Sequence, residues 1–427
     1  MIKFGMDYFK NNGKQWLAED VPLSDIAKEI GTPCYVYSRA AFVQAWQSFD
    51  IAFNAHPHRV NFAVKANSNI AVLNILAQCG AGFDIVSMGE LARVLKAKGN
   101  PAHIVFSGVG KSHEELSYAL KVGVGCINVE SKSEVLRLNE LAIALQKKAP
   151  IAFRINPDVD PKSHPYISTG LQENKFGIPM VNALAIYQFA ATLPGIQIEG
   201  LSFHIGSQII ELSPIIEALD KILILIEQLK SNGITIQHLN VGGGLGIRYH
   251  QEMPPKPAEY VKAILSKIKQ SKEPNIKIYV EPGRAIAANA GVLLTRVEYI
   301  KNHGSRDKSF AIVDAAMNDL IRPAFYNAWQ DIFSVTNPNS DVLEKKYDIV
   351  GPVCESSDFL GKDRMLSIKE GELIAIGSVG AYGFSMSSNY NSRPRVAEVM
   401  VDKDRFQVVR CRETIDDLFA AETLLTN

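Results

Sequence analysis

VNFAVKAN (60–67), GFDIVS (82–87), HIVFSG (103–108), CINVES (126–131), IAFRINP (151–157), IEGLSFHIGS (198–207), HLNVGGG (238–244) and IYVEPGR (278–284) are eight short apolar runs, rich in β-branched residues, each closing on a polar group or a turn. Runs of this length and composition read as strands buried on both faces. Between them, IAVLNILAQC (70–79), GELARVLKAKG (89–99), SEVLRLNELAIALQKK (133–148) and PIIEALDKILILIEQLKSNG (214–233) repeat apolar residues at three- and four-residue spacing, the period of a helix that buries one face. With a leading helix at AAFVQAWQSFDIAF (40–53), eight helices alternate with eight strands, the number that closes a parallel (β/α)8 barrel. The competing α/β fold is an open doubly wound sheet. That fold gathers ligands at its switch point alone, whereas Lys65, Ser107, Glu130, Asn156, His204, Gly242 and Glu281 all stand at the ends of runs. A barrel gives these endings one shared purpose, because its chemistry sits on the rim at the C-terminal ends of the strands.

Outside this stretch the rhythm changes. VLLTRVEYI (292–300), SFAIVDAA (309–316), YDIVGPVC (347–354) and ELIAIGSVGA (372–381) are β-rich with few helical patterns between them, and TPCYVYS (32–38) reads as a further strand. The expectation is a barrel domain over 36–284 and a second, mostly β domain formed by 1–35 and 285–427. One connection, DVDPKSHPYISTGLQENKFG (158–177), is long and polar, and loops of that length are usually lids or binding loops.

The 427 residues suffice for two domains, and 45 basic against 45 acidic residues leave no field to hold nucleic acid or an anionic membrane. A small molecule or another copy of the chain is the expected partner. The five cysteines are scattered, odd in number and lack a CxxC pair, which speaks against a disulfide framework or a structural zinc site and suits a reducing cytoplasm. The start MIKFGMDYFKNNGK has no apolar core after a basic end, and no window approaches a membrane span. A cytoplasmic protein is expected, with no metal.

Several residues suggest chemistry. Lys65 interrupts an apolar run, where an unused charge is costly. An imine to an aldehyde cofactor removes that charge, and lysine suits the task because desolvation frees its amine as a nucleophile. Gly242, Gly243 and Gly244 follow a run and offer backbone N–H groups clear of side chains, a nest for phosphate. Glu281, Pro282, Gly283 and Arg284 combine a carboxylate, two turn residues and a cation; a carboxylate facing a pyridine nitrogen keeps it protonated. His204 could stack on a flat ring, and Ser207 could add a hydroxyl to the phosphate nest. Each has a plainer reading: a rim lysine, a corner turn, a rim ion pair, a core histidine. Cys354 alone reads as a small hydrophobe, and Asp84 and Ser87 as rim structure or supporting residues.

Taken in order, FAVKAN, GFDIVSMGEL, HIGSQ, GGGLG, EPGR, MNDLIRPAFY (317–326), GPVCESSD (351–358) and GAYGFSMSSNYNSRP (380–394) resemble the fold-type III pyridoxal-phosphate decarboxylases and, within them, the diaminopimelate decarboxylases. The resemblance spans nearly the whole chain. It implies the alanine racemase-like pairing of a barrel with a β domain, and pyridoxal 5'-phosphate as cofactor. It implies Lys65 as the residue bound to the cofactor aldehyde, His204 as the ring-stacking residue and Glu281 as the partner of the ring nitrogen. The glycine run, the backbone of EPGR and Tyr382 become the phosphate site; Arg284, Arg322 and Tyr326 become ligands for the distal part of the substrate. Cys354 becomes a proton donor and Glu355 a ligand for the substrate amine, both supplied by the partner subunit of a homodimer with shared sites. The loop ending in NKFG resembles the family's active-site loop.

Within the family, ornithine-type decarboxylases usually carry aspartate directly after the cysteine, suiting a bare terminal amine. Here Glu355 stands there, with Arg322 and Tyr326 to match an amino-acid head bearing ammonium and carboxylate. The implied reaction is decarboxylation of meso-2,6-diaminopimelate to L-lysine, the last step of lysine biosynthesis. The rivals are ornithine-, arginine- or carboxynorspermidine-type decarboxylases, a racemase, which usually needs an opposing tyrosine base, and a non-catalytic regulatory relative, in which catalytic residues should have been lost.

Overall fold

A computed structural model describes residues 6–160, 174–302, 308–337 and 343–426. These divide into two compact units, one of 43–247 and 252–286 and the other of the described parts of 1–42, 248–251 and 287–427.

In the first unit, strands β1 (His58–Ala63), β2 (Gly82–Ile85), β3 (Ile104–Phe106), β4 (Cys126–Val129), β5 (Ala149–Asn156), β6 (Ile196–Ser202), β7 (His238–Asn240) and β8 (Lys277–Val280) pair in parallel with their sequence neighbours. The last pairs with the first, Val280 opposite Val60, so the sheet closes. The open-sheet alternative is thereby excluded. Alternate side chains turn inward, and Val105, Cys126, Ala152 and Tyr279 pack together as an apolar layer of the barrel interior. Polar residues stand in register with this layer or two residues past it: Asp84 opposes Val105, Asn128 opposes Ala152 and Asn240 opposes Tyr279, while Arg154 and Glu281 follow Ala152 and Tyr279 by two.

The helices begin where the sequence caps them. Asn69, Ser87, Ser112 and Ser131 each accept a hydrogen bond from a backbone N–H in the first turn of the helices Ile70–Gln78, Met88–Lys96, His113–Val122 and Lys132–Ala144. A cap of this kind stabilises by about 1 kcal/mol. Ser87, a possible supporting residue on sequence grounds, is therefore a helix cap.

The second unit holds a sheet in the order Phe359–Leu366, Lys345–Val350, Lys308–Val313, Gly291–Asn302, Cys34–Ser38, Ala397–Asp402, Arg405–Arg410, with Leu373–Ile376 pairing both Gly291–Asn302 and Ile332–Ser334. Val36, Val292, Leu294, Phe333, Ala375 and Val399 form its core. Among the described residues no helix is long and apolar enough to cross a membrane. Of the long connection expected at 158–177, residues 161–173 lie outside the described residues.

Candidate active site

Lys65 does not lie in a strand as its apolar surroundings suggest. Strand β1 ends at Ala63, and Lys65 sits in the single 3-10 turn Val64–Ala66 just past it, with 43% of its side chain exposed. Desolvation of its charge is accordingly milder than a strand interior imposes, and Asp84 compensates it: Lys65 Nζ stands 2.6 Å from Asp84 Oδ2. Register dictates this pair, because β1 and β2 run in parallel with Ala63 opposite Asp84.

The turn carrying Lys65 is packed against EPGR. A methyl group on Gly283 would meet the Cβ atoms of both Ala63 and Ala66 at 3.0 Å, so only glycine lets the two turns approach this closely. EPGR in turn meets the glycine run. Glu281 N–H donates to Gly242 O at 2.7 Å, and a Cβ on Gly243 would run into the carbonyl oxygen of Glu281. Gly242 and Gly244 are left-handed, with φ of 68° and 104°. The turn after β6 completes the contact: Ile209 N–H donates to Gly244 O at 2.8 Å, and Gly246 N–H to Ile209 O at 2.9 Å. Beside this junction Arg284 donates to Ser207 Oγ at 3.2 Å, and a Cβ on Gly242 would lie 2.8 Å from His204 Nδ1. Lys65, His204, Ser207, Gly242–Gly244 and Glu281–Arg284 therefore share one arc of the barrel rim.

The electrostatics of that arc are unusual. Burial pushes the Glu281 carboxyl up to about 8, with Asp84 adding to the rise and Lys65 opposing it. Burial also drives His204 well below its ordinary range, and the cations Arg154 and Lys65 act in the same direction, so its imidazole is neutral and suited to lying flat on a ring. Glu281 is held by a residue that sequence reading passed over. Asn240 donates to Glu281 Oε1 at 2.6 Å and accepts from Gly242 N–H at 2.9 Å, tying the carboxylate to the glycine turn. Glu90 was also missed. Burial raises it to about 7 near Lys65 and Asp84, while the Val86 N–H that it accepts pulls the other way. The alternation of β7 could have found Asn240, two residues before Gly242 and on the same face. Arg154 pairs with Glu130 at 3.4 Å and lies 4.6 Å from the ring centre of Phe176, while Gly177 N–H donates to Glu130.

The remaining predicted residues belong to the β unit. Arg322 and Tyr326 begin and end the short helix Arg322–Tyr326, where the buried Arg322 guanidinium lies 4.6 Å from the ring centre of Tyr249. Tyr382 occupies a turn with φ of 56°. Cys354 and Glu355 are exposed in the turn 351–358, closed by Asp358, which accepts from the N–H groups of Met317 and Val353.

The family described as "Pyridoxal-dependent decarboxylase, pyridoxal binding domain" matches residues 39–288. A diaminopimelate decarboxylase of Vibrio cholerae is 55% identical over 98% of this chain and 100% of its own length, and one of Haemophilus influenzae is 52% identical over the same shares. The chain belongs to the diaminopimelate decarboxylase family. Among solved structures, the M. jannaschii diaminopimelate decarboxylase in co-complex with L-lysine matches with a TM-score of 0.93 at 36% identity, covering 99% of both chains. The Helicobacter pylori diaminopimelate decarboxylase complexed with L-lysine matches with a TM-score of 0.89 at 42% identity, covering 93% of this chain and 98% of that one.

The cofactor of this family member is pyridoxal 5'-phosphate, and the rim of the decarboxylase fits it. An amine beside a carboxylate, a neutral imidazole, a buried carboxylate and a glycine cradle that a Cβ would fill are the donor set for an aldehyde, a flat ring, a ring nitrogen and a phosphate respectively.

Proposed function

We propose that the protein decarboxylates meso-2,6-diaminopimelate to L-lysine and carbon dioxide, the last step of lysine biosynthesis, in the cytoplasm and as a homodimer with shared active sites. Convergence of Lys65 on Asp84, Glu281 on Asn240 and three glycine-bearing turns on one stretch of barrel rim carries this reading. Residues 36–284 supply the cofactor site; 1–35 and 285–427 supply substrate and dimer contacts.

When bound, pyridoxal phosphate supplies an aldehyde for an amine and a ring that accepts the electrons left by the departing carboxylate. Lys65 would hold it through Nζ and carry protons at that atom, with Asp84 fixing the amine's direction. Glu281 would supply a negative charge for the ring nitrogen, and His204 would stack on the ring. Backbone N–H groups of Gly242–Gly244, Gly283 and Arg284, with the hydroxyls of Ser207 and Tyr382, would hold the phosphate. At the distal head Glu355 takes the ammonium, while Arg322, Arg284 and Tyr326 take the carboxylate. Holding that head would orient the carboxylate to be lost, an effect on the order of several kcal/mol. Cys354 Sγ delivers a proton to the carbon that has lost its carboxylate.

The test is carbon dioxide release from the separate diaminopimelate stereoisomers and from ornithine, arginine and lysine. The meso isomer is expected to be preferred by at least about 100-fold over a substrate lacking the second amino-acid head. Arg322→Ala is expected to raise KM for meso-diaminopimelate by about 10- to 100-fold, since it removes a charge-assisted pair, and to change KM for simple diamino acids little. Equal losses on both would sink the assignment of the distal pocket.

Shared sites make a separate prediction. Lys65→Ala and Cys354→Ala homodimers should each be nearly inactive, yet mixing them in equal amounts under subunit exchange should recover about a quarter of the sites. About half of randomly paired dimers are mixed, and each mixed dimer has one site with both natural residues. No recovery, with exchange verified by mass spectrometry, would place Cys354 and Lys65 in the same subunit's site.

A further inference from the structure

The segment Asn389–Arg393 touches both residues of the Cys354–Glu355 pair. Tyr390 donates its hydroxyl to Glu355 Oε2 at 2.8 Å, and Ser357 donates to Oε1 at 2.6 Å, so each oxygen of the carboxylate is taken by one hydroxyl and its plane is set. Asn391 Oδ1 accepts the Cys354 N–H at 2.9 Å. Asn391 and Ser392 are both left-handed, with φ of 55° and 52°, a conformation that costs a residue such as serine about 1 kcal/mol or more and that asparagine tolerates better.

The flanking residues hold that strain. Asn389 donates to Glu413 Oε2 at 2.7 Å and to Arg393 O at 3.0 Å. Arg393 donates to Asn318 Oδ1 at 3.0 Å and to Asp314 O at 2.6 Å. Tyr390 and Asn391 thus stand on a rigid base yet spend their side chains on an exposed turn, where a hydrogen bond in water adds little to folding. Strain maintained for bonds that stabilise so little points to a purpose other than stability.

We propose that Tyr390 and Asn391 are positioning residues for the reaction, Tyr390 setting the Glu355 carboxylate for the substrate's distal ammonium and Asn391 setting the backbone from which Cys354 delivers its proton. This rests on the roles given to Cys354 and Glu355 above. The two hydroxyl donors also hold the Glu355 carboxyl below its usual range, the direction that keeps it ionised for an ammonium.

Tyr390→Phe is expected to raise KM for meso-diaminopimelate and the calorimetric Kd for L-lysine together by about five-fold, with kcat within about two-fold. Asn391→Gly keeps the left-handed backbone without strain but loses the acceptor. It is expected to lower kcat by about ten-fold with KM nearly constant, and to leave the thermal midpoint unchanged or higher. An Asn391→Gly enzyme with full kcat would overturn the role of Asn391, since backbone shape alone would then suffice. Glu355→Gln separates this inference from the reading beneath it. If Glu355→Gln leaves KM and the lysine Kd untouched, Glu355 holds no ammonium and the underlying reading fails. If it raises both while Tyr390→Phe raises neither, only the role of Tyr390 fails. In the Glu355→Gln background Tyr390→Phe should add nothing further, and an undiminished effect there means that Tyr390 acts elsewhere.

Discussion

Lys65→Ala will lower turnover of meso-diaminopimelate by at least about three orders of magnitude, and the purified protein will lose the visible absorbance of covalently held pyridoxal phosphate. The reason lies in the position of Nζ. It is the amine of the rim arc, it stands 2.6 Å from the buried carboxylate of Asp84, and its turn is pressed against EPGR through Gly283. Lys111, the buried lysine of the strand-end turns, cannot replace it, being committed to Glu134 at 2.8 Å and to the carbonyls of Gly108 and Asn128. Added methylamine should restore part of the rate, because the variant lacks an amine rather than a fold. An unchanged absorbance spectrum in Lys65→Ala would remove Lys65 from the site. The midpoint of unfolding should move little, since the side chain is 43% exposed and Asp84 can regain water through the space vacated.

Glu281→Gln will lower kcat by about 100- to 1,000-fold, the scale on which a preorganised charge at a developing charge is felt in a water-poor site, while leaving cofactor binding largely intact. The same substitution should stabilise the cofactor-free protein at alkaline pH. Burial, with Asp84 in support, raises Glu281 from 4.5 to about 8. The folded chain therefore binds a proton that the unfolded chain has released, in the window from about 4.5 to 8. Its contribution to stability is fully present below that window and is lost as pH rises through it. Glutamine never ionises, so the difference in thermal midpoint between variant and parent should grow in the variant's favour from pH 5 to pH 9. A difference that is flat with pH would mean that Glu281 is already ionised at no penalty. A buried carboxylate held at this disadvantage makes sense when its charge has a cationic ring nitrogen to face, and loading with pyridoxal phosphate should shrink the alkaline gap.

Neighbour relations along the chain made the barrel legible. Short, continuous apolar strand runs and helices of period 3.6 carry their own signatures, and the serines that cap the rim helices at Ser87, Ser112 and Ser131 follow the strand ends within a few residues. The glycine nest, EPGR and Lys65 could be singled out because each breaks its local pattern. Asn240 could have been singled out too, as an inward polar residue beside Gly242. Glu90 could not, because its carboxyl reads as an ordinary first-turn helix acid until the turn is placed near Lys65 and Asp84.

What the sequence by itself determined was therefore the inventory: eight strand–helix units, a β-rich remainder, and the residue types for an aldehyde, a ring and a phosphate. Tertiary structure alone decided which of them meet. The Lys65–Asp84 pair depends on register between strands that are 19 residues apart at those positions, and the Tyr390–Glu355 contact joins residues separated by 35. Neither distance belongs to any local period. Closing the ring and folding the β unit convert that separation along the chain into ångströms, and the same closure buries Glu281 and so sets the proton affinity on which its chemistry depends.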